Sequence, residues 1–453
     1  MAPHHSTTPM ASDKQVPLLD RAAESDGVAR ARAACINLVA TTIGTGILSV
    51  PISLSYCGLA PGLAILAFFA ILSSASLRFL SAAAALVHAS SYAAIGERVF
   101  GTLGRELVLW SLLLLLAGAS IQVHICITDL VEMLAERLLD QDIERDFLSA
   151  AITLIVTPLC MPIELHSLRH LSSASVLAIL FTTGCIVTRC IVGGSHNDTA
   201  VASSSSTAPW LLATPLSVRW SLAMPIHSLA YCNQFQILDL ESELPAGQRR
   251  FLPLIIAIAM GAACAVYALV GAAGYILLGS ETANYPNILT AFGYDEVVLF
   301  GSSAILLVNV LKMPLVILPL RSLLVERLGI GSMPSPWAHV LFTIGLVVLV
   351  GAAAMQCRDL AFAFQVSGCT AGVMVCFCLP GLLYFGAHRL ARRRGALLQL
   401  ASEGLPSSSD ARRTMLPASR YEVAGLVMLM VGALSGALCL YVLLGMASDE
   451  ARA

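Results

Sequence analysis

Apolar residues run along this chain in blocks of membrane length, separated by short polar stretches. A helix rising about 1.5 Å per residue needs about 20 residues to cross a hydrocarbon core of roughly 30 Å. A window of that length divides the chain into eleven predicted spans, at approximately 34–56, 60–86, 107–136, 147–164, 172–193, 217–239, 252–279, 297–320, 337–356, 360–386 and 421–446. The pattern predicts an all-α polytopic membrane protein.

Two of these blocks are interrupted. Span one reads NLVATTIGTGILSVP over 37–51, with Gly44 and Gly46 bracketing Thr45. Glycines so placed invite a break, which at bilayer depth leaves amides and carbonyls without intrahelical partners and is tolerable only beside protein or a watered cavity. Transporters build substrate sites in this way. Small residues also serve close helix–helix contacts, and the spacing alone does not choose between the two. Span six reads WSLAMPIHSLAYCNQFQILDLESEL from Trp220 to Leu244, with Pro225 lacking a backbone donor and a polar run Tyr231, Cys232, Asn233, Gln234. It has no glycine pair, and proline kinks are frequent in membrane helices. If the first ten spans form two inverted sets of five, spans one and six are equivalent, and interruptions at matching positions favour a paired site.

Composition agrees: 57% of residues are hydrophobic and only 12% charged, which an ordinary soluble surface does not tolerate. Orientation follows from the 26 Lys and Arg residues, because basic loops stay cytoplasmic. With the N-terminus inside, 18 of them fall in cytoplasmic segments and four in the opposite loops, while Arg78, Arg189, Arg219 and Lys312 lie within spans. The expected organisation is a disordered cytoplasmic tail over 1–33 and a transmembrane domain over 34–446. The latter comprises a repeat over about 34–193, a second over about 217–386, and an eleventh helix at 421–446, before a short outer or lumenal tail at 447–453.

The outer segment 194–216 carries the sequon Asn197-Asp198-Thr199, where topology permits glycosylation and an unused sequon is equally compatible. The tail has no apolar core of a cleavable signal peptide. Its piece Asp13 to Leu19 looks like an acidic dileucine sorting signal with the acid one residue too far away, pointing to a vacuolar or lysosomal membrane, with the plasma membrane as the other address. The 13 cysteines lie mostly inside apolar spans, show no CxxC pattern, and read as small packing residues; no metal or other cofactor is expected. Glu164, His166 and His170, in the sequence ELHSLRH, read as solvated loop residues.

On these residues the chain resembles the amino acid/auxin permease family. The resemblance rests on Asn37-Leu38 followed by Gly44-x-Gly46-x-Leu48 and Pro51, on the aromatic and polar stretch closing in Glu243-Leu244, and on MPLVILPLRSLL with Pro314, Leu315, Pro319 and Arg321. It covers residues 33–446. It implies the leucine-transporter-type fold, with helices 1–5 and 6–10 as inverted repeats and helices 1 and 6 broken, and secondary active transport of amino acids.

Elementary chemistry suits a zwitterion there. Its carboxylate fits the free amides of Gly44, Thr45 and Gly46 at the start of a half-helix, where the dipole is positive. Its ammonium needs acceptors, which the carbonyls before Gly44, including that of Thr42, and those of Ser228 to Tyr231 offer. Tyr231, Asn233 and Gln234 are candidates for side-chain contacts or a gate.

Sodium-coupled relatives, which this chain resembles, carry an Asn in helix 1 four residues before the first glycine, and Thr hydroxyls just before the helix 8 proline. Here Ala40 stands at the first place and Val310, Leu311 and Lys312 at the second, so oxygen ligands for a hard cation are lost and an amine is gained. Lys312 lies about 13 Å from Arg321 along its helix and can hardly snorkel out. A charged Lys near a helix centre costs about 2.5 to 3.5 kcal/mol on insertion scales. It is expected to fill the vacated sodium site, bridge helices 1 and 8, and exchange a proton; the alternative is a fixed charge paired with a carboxylate such as Asp239. Asn309 shares its face, and His124 is a candidate proton relay or a hydrogen-bonded structural residue.

No HExxH, GxSxG or P-loop occurs, so an enzyme is not expected. The expected function is a secondary active, proton-coupled amino-acid transporter whose partners are the small-molecule amino acid, the proton and the lipid bilayer, with no nucleic acid. Its alternatives are a non-transporting amino-acid sensor of the same fold and a sodium-coupled carrier.

Overall fold

The computed structural model describes residues 16–140, 143–161, 171–192, 214, 217–245, 247–292, 295–329, 335–402 and 420–450. The sequon at Asn197, the loop residues Glu164, His166 and His170, and Asp13 of the dileucine-like piece lie outside the described residues. In chain order the helices are α1 Val16–Thr42, α2 Val50–Ser55, α3 Leu59–Val87, α4 Tyr92–Phe100, α5 Thr102–Leu139, α6 Arg145–Leu159 and α7 Leu171–Val192. They continue as α8 Ala223–Ala230, α9 Ile237–Glu243, α10 Leu252–Leu278, α11 Glu296–Arg327, α12 Pro336–Gln356, α13 Leu360–Ser367, α14 Leu379–Ser402 and α15 Arg420–Glu450.

Among the described residues, eight helices are long and apolar enough to cross a membrane, and a ninth span results if Gly27–Thr42 and Thr45–Ser55, bent by 45° at their junction, are taken together. The predicted fourth and sixth spans are not in that set. The fourth is α6, whose 15 residues reach only about 22 Å, with Pro158 in its last turn. The sixth is split into α8 and α9. Span ten is continuous from Leu360 to Gly395 but passes through two π-helical turns, Gly368–Gly372 and Met374–Cys378.

Two helical stretches were not expected from hydropathy. α1 begins at Val16, so residues 16–33 are helical where a tail is predicted; their Ala- and Arg-rich composition favours helix without being apolar. α4 is only nine residues long, too short for a membrane window, yet Ser91 caps its first turn by accepting from the Ala94 amide, and Gly101 ends it at φ 70. Asp295, Ser335 and Asp359 cap α11, α12 and α13 in the same way.

The helices carry aliphatic residues on their outer faces as well as in the core. Ile71, Leu114, Leu154, Leu307, Leu349 and Leu434 are all largely exposed, which is the surface a bilayer requires. α5 and α11 pack along each other through the centre, α7 flanks α11, and α10 lies against α1, α2, α3 and α7. The largest buried cluster is built around the interruptions themselves, with Ile43, Ile47, Leu48, Val50, Ile226, Ala230, Tyr231 and Tyr267 in it.

Candidate functional site at two interrupted helices

Span one breaks where the glycine pair stands. α1 ends at Thr42, Gly44 is extended at φ −107, the chain continues as a 3-10 turn over Thr45–Ser49, and α2 starts at Val50 with Pro51 in its first turn. The two glycines do different work. A Cβ on Gly44 would meet nothing within 4 Å, whereas one on Gly46 would stand 3.2 Å from Ala230 Cα, where the second interruption begins. The break and the close helix contact are therefore both present, one at each glycine.

Span six unwinds at the polar run and not at Pro225. Pro225 sits near the start of α8, where a missing amide is cheap, and packs so closely on span ten that a Cβ on Gly368 would fall 2.5 Å from its carbonyl. The helix stops after Ala230 and restarts at Ile237.

Several of the freed peptide carbonyls have partners on other helices. In the first break Thr42 and Ile43 present successive carbonyls to different helices: Tyr267 Oη of α10 donates to Thr42 O at 2.7 Å, and Lys312 Nζ of α11 donates to Ile43 O at 3.3 Å. In the second, Tyr267 Oη also lies 2.8 Å from Ala230 O, and Ser73 of α3 donates to Tyr231 O at 2.8 Å. Gln234 accepts from the Asn233 amide at 3.0 Å and donates to Ser73 and Ser76 at 3.1 and 3.3 Å. These contacts replace the solvent that a bilayer withholds.

Side chains also join the half-helices in pairs. The Asn233 amide bonds the Thr42 hydroxyl in either orientation of the amide, linking α1 to the stretch before α9. His227 Nε2 and Ser53 Oγ lie 3.2 Å apart, linking α8 to α2.

A small cavity, with room for about one water molecule, opens beside the first break, lined by Gly44, Thr45, Ile47, Leu48, Ile179, Ile305, Val308, Asn309 and Lys312. The structure thus brings Gly44, Thr45, Asn309 and Lys312 together. Asn309 Nδ2 donates to Cys126 Sγ at 3.3 Å. Thr42, Ser228, Tyr231, Asn233 and Gln234 are buried on the other side of the breaks, against α3, α10 and span ten, with Tyr231 and Tyr267 rings 5.3 Å apart. His124 stands apart from Lys312: its Nε2 lies 3.1 Å from Ser149 Oγ and 3.5 Å from Thr153 Oγ1 on α6. None of the ion pairs among the described residues includes Lys312, so the alternative pairing with Asp239 is not made. No group of three metal-ligating side chains occurs among the described residues.

An ion network ties α5 to α6 and to the turn before α13. Arg145 bonds Asp129 at 2.5 Å, Glu132, and the Arg358 carbonyl at 3.2 Å, while Arg358 bonds Asp146 at 2.9 Å. Asn287 reaches Asp129 at 3.4 Å.

Sequence inspection missed Tyr267, the Ser73 and Ser76 pair, and the His227 to Ser53 link. Their only signals are single polar side chains inside otherwise aliphatic spans, and hydroxyls there are also tolerated by bonding their own helix carbonyls.

The family model for "Transmembrane amino acid transporter protein" matches residues 27–395. Mouse solute carrier family 38 member 10 is 25% identical over 374 residues; the alignment covers 78% of this chain but only 33% of that protein. The chain therefore spans about a third of the length of that relative. Vacuolar amino acid transporter 5 of Schizosaccharomyces pombe is 25% identical over 366 residues, covering 79% of this chain and 84% of that one. Among solved structures, an outward-open, substrate-bound Na+-coupled sialic acid symporter superposes with a TM-score of 0.53 at 15% identity, covering 90% of this chain and 88% of that one. Mhp1 in an inward-facing conformation superposes with a TM-score of 0.54 at 13% identity, covering 91% of each chain. The fold is the leucine-transporter type.

Proposed function

This chain belongs to the transmembrane amino acid transporter protein family, and from that premise we propose that it carries amino acids across its membrane by alternating access around the two breaks. The observation that carries the proposal is the convergence of both interruptions, with Gly46 against Ala230 and the Thr42 and Ala230 carbonyls sharing one hydroxyl. A zwitterion fits such a place: the amides after Gly44 suit its carboxylate, and the carbonyls that end α1 and α8 suit its ammonium.

The proton is the proposed coupling ion. Lys312 lies on a break carbonyl with no described carboxylate paired to it, between α11 and the end of α1, and its amine is the one group lining the cavity that can carry a proton across a transport cycle. A sodium-coupled carrier is the second reading, favoured by the likeness in fold to a symporter that is itself Na+-coupled. Similarity to a vacuolar transporter supports a vacuolar or lysosomal membrane, and the distribution of Lys and Arg supports a cytoplasmic N-terminus.

Uptake of twenty labelled amino acids into proteoliposomes, under separate sodium and pH gradients, tests this. Accumulation driven by the pH gradient alone is expected, and accumulation that requires sodium overturns the coupling. Binding without counterflow would identify a sensor instead.

A further inference from the structure

Tyr267 is fully buried in α10, and its single hydroxyl proton faces two carbonyls, Thr42 O at 2.7 Å and Ala230 O at 2.8 Å. These are the last carbonyls of α1 and α8, so two helix C-termini, each the negative end of its dipole, point at one phenol. One proton cannot satisfy both acceptors fully. A group with several N–H donors and a positive charge would satisfy them better. The phenol ring packs edge-on against Tyr231, the first residue of the second break, with ring centroids 5.3 Å apart.

We propose that the Tyr267 hydroxyl is the resident stand-in for the ammonium of the transported amino acid. It latches the two breaks together in the empty carrier and gives up both carbonyls when substrate enters. This rests on the transport reading above and adds a positioning residue to it. Substrate must then displace a hydrogen bond in order to bind, and the empty carrier regains that bond when it returns.

Tyr267→Phe removes the hydroxyl and keeps the ring. In proteoliposomes, with the amino acid that the wild type takes up fastest as the probe, the variant is expected to lower KM in counterflow by about threefold to tenfold, the range one displaced hydrogen bond supports. Net uptake, which needs the empty carrier to return, is expected to slow more than exchange. An unchanged or raised KM with both rates falling together would overturn the proposal, as would an equal shift for the 2-hydroxy acid analogue as competitor, since it has no ammonium. Should Tyr267→Phe fail to fold, Tyr267→Met is read in the same way. Failure of both to fold also overturns the proposal, because a latch that yields to substrate is not indispensable to the fold. If the wild type itself transports none of the twenty amino acids, the transport reading fails; if it transports and KM does not move, only the latch fails.

Discussion

Lys312 on α11 donates to the carbonyl of Ile43 in the first break, at 3.3 Å, so an amine and a freed peptide oxygen link α11 to the end of α1. The contact joins two features visible separately in the sequence, the glycine pair and one of the chain's two lysines. An amine so placed can bind the carbonyl and release it as it gains and loses a proton.

Lys312→Gln keeps a donor for the Ile43 carbonyl and removes the titratable amine. Accumulation driven by a pH gradient is expected to be lost while counterflow of labelled amino acid persists. Lys312→Arg is not expected to rescue it, because a guanidinium does not deprotonate in proteins. Uptake that still follows the pH gradient in Lys312→Gln would remove this residue from coupling.

The two glycines are expected to separate on substitution. A methyl at Gly46 is directed at backbone 3.2 Å away, so Gly46→Val should abolish uptake and lower the thermal midpoint of the purified protein. Gly44 has φ −107 and open space beyond its Cα, so Gly44→Ala should fold like the wild type and raise KM by narrowing the cavity. Equal loss of stability in both would contradict this division.

Thr42→Val retains shape and deletes the hydroxyl that bonds Asn233, leaving a fully buried amide short of a partner. Such a group costs about 1 to 3 kcal/mol. Pairing Thr42→Val with Asn233→Leu should recover part of that loss, because both partners are then apolar, and thermal melts of the two single variants and the double variant measure the recovery.

What was legible in the sequence follows from what each signal measures. Hydropathy located spans two, three, five and seven to eleven to within a few residues at most ends, because lipid demands an apolar surface over a fixed length. It overreached for span four, where helix α6 stops at Leu159, since an apolar run reports transfer energy and not helix length. In span six the interruption fell at Tyr231 to Gln236 because that is where side chains from α3 and α10 can satisfy unwound peptides; Pro225, the more conspicuous residue, lies in a helical first turn where its missing amide matters little. Tyr267 was illegible because a tyrosine in an apolar span looks the same whether its hydroxyl meets its own helix or two others. The sequence leaves His124 open between a proton relay and a hydrogen-bonded structural residue, and only contacts show that it faces α6.

The ion pairs over Asp129 and Asp146 are expected to differ in weight because their exposure differs. Arg145 and Asp129 are 21% and 10% exposed, whereas Arg358 and Asp146 are 59% and 43%. Solvent screens the second pair, so Arg358→Met should change stability by less than about 1 kcal/mol. Arg145→Met leaves Asp129 and Glu132 without their shared cation in a partly buried place and should cost about 2 to 3 kcal/mol. Much of that cost is the stranded carboxylate and not the lost attraction, so adding Asp129→Asn to Arg145→Met should restore part of the midpoint, whereas the same substitution in the wild type should lower it. A thermal-melt cycle over the four proteins reads both signs. Because Arg145 also holds the Arg358 carbonyl and Asn287 leans on Asp129, the network joins α5, α6 and the turns before α11 and α13. If it closes one face of the carrier, Arg145→Met should also shift cysteine-reagent access toward that face, an effect that Arg358→Met should not reproduce.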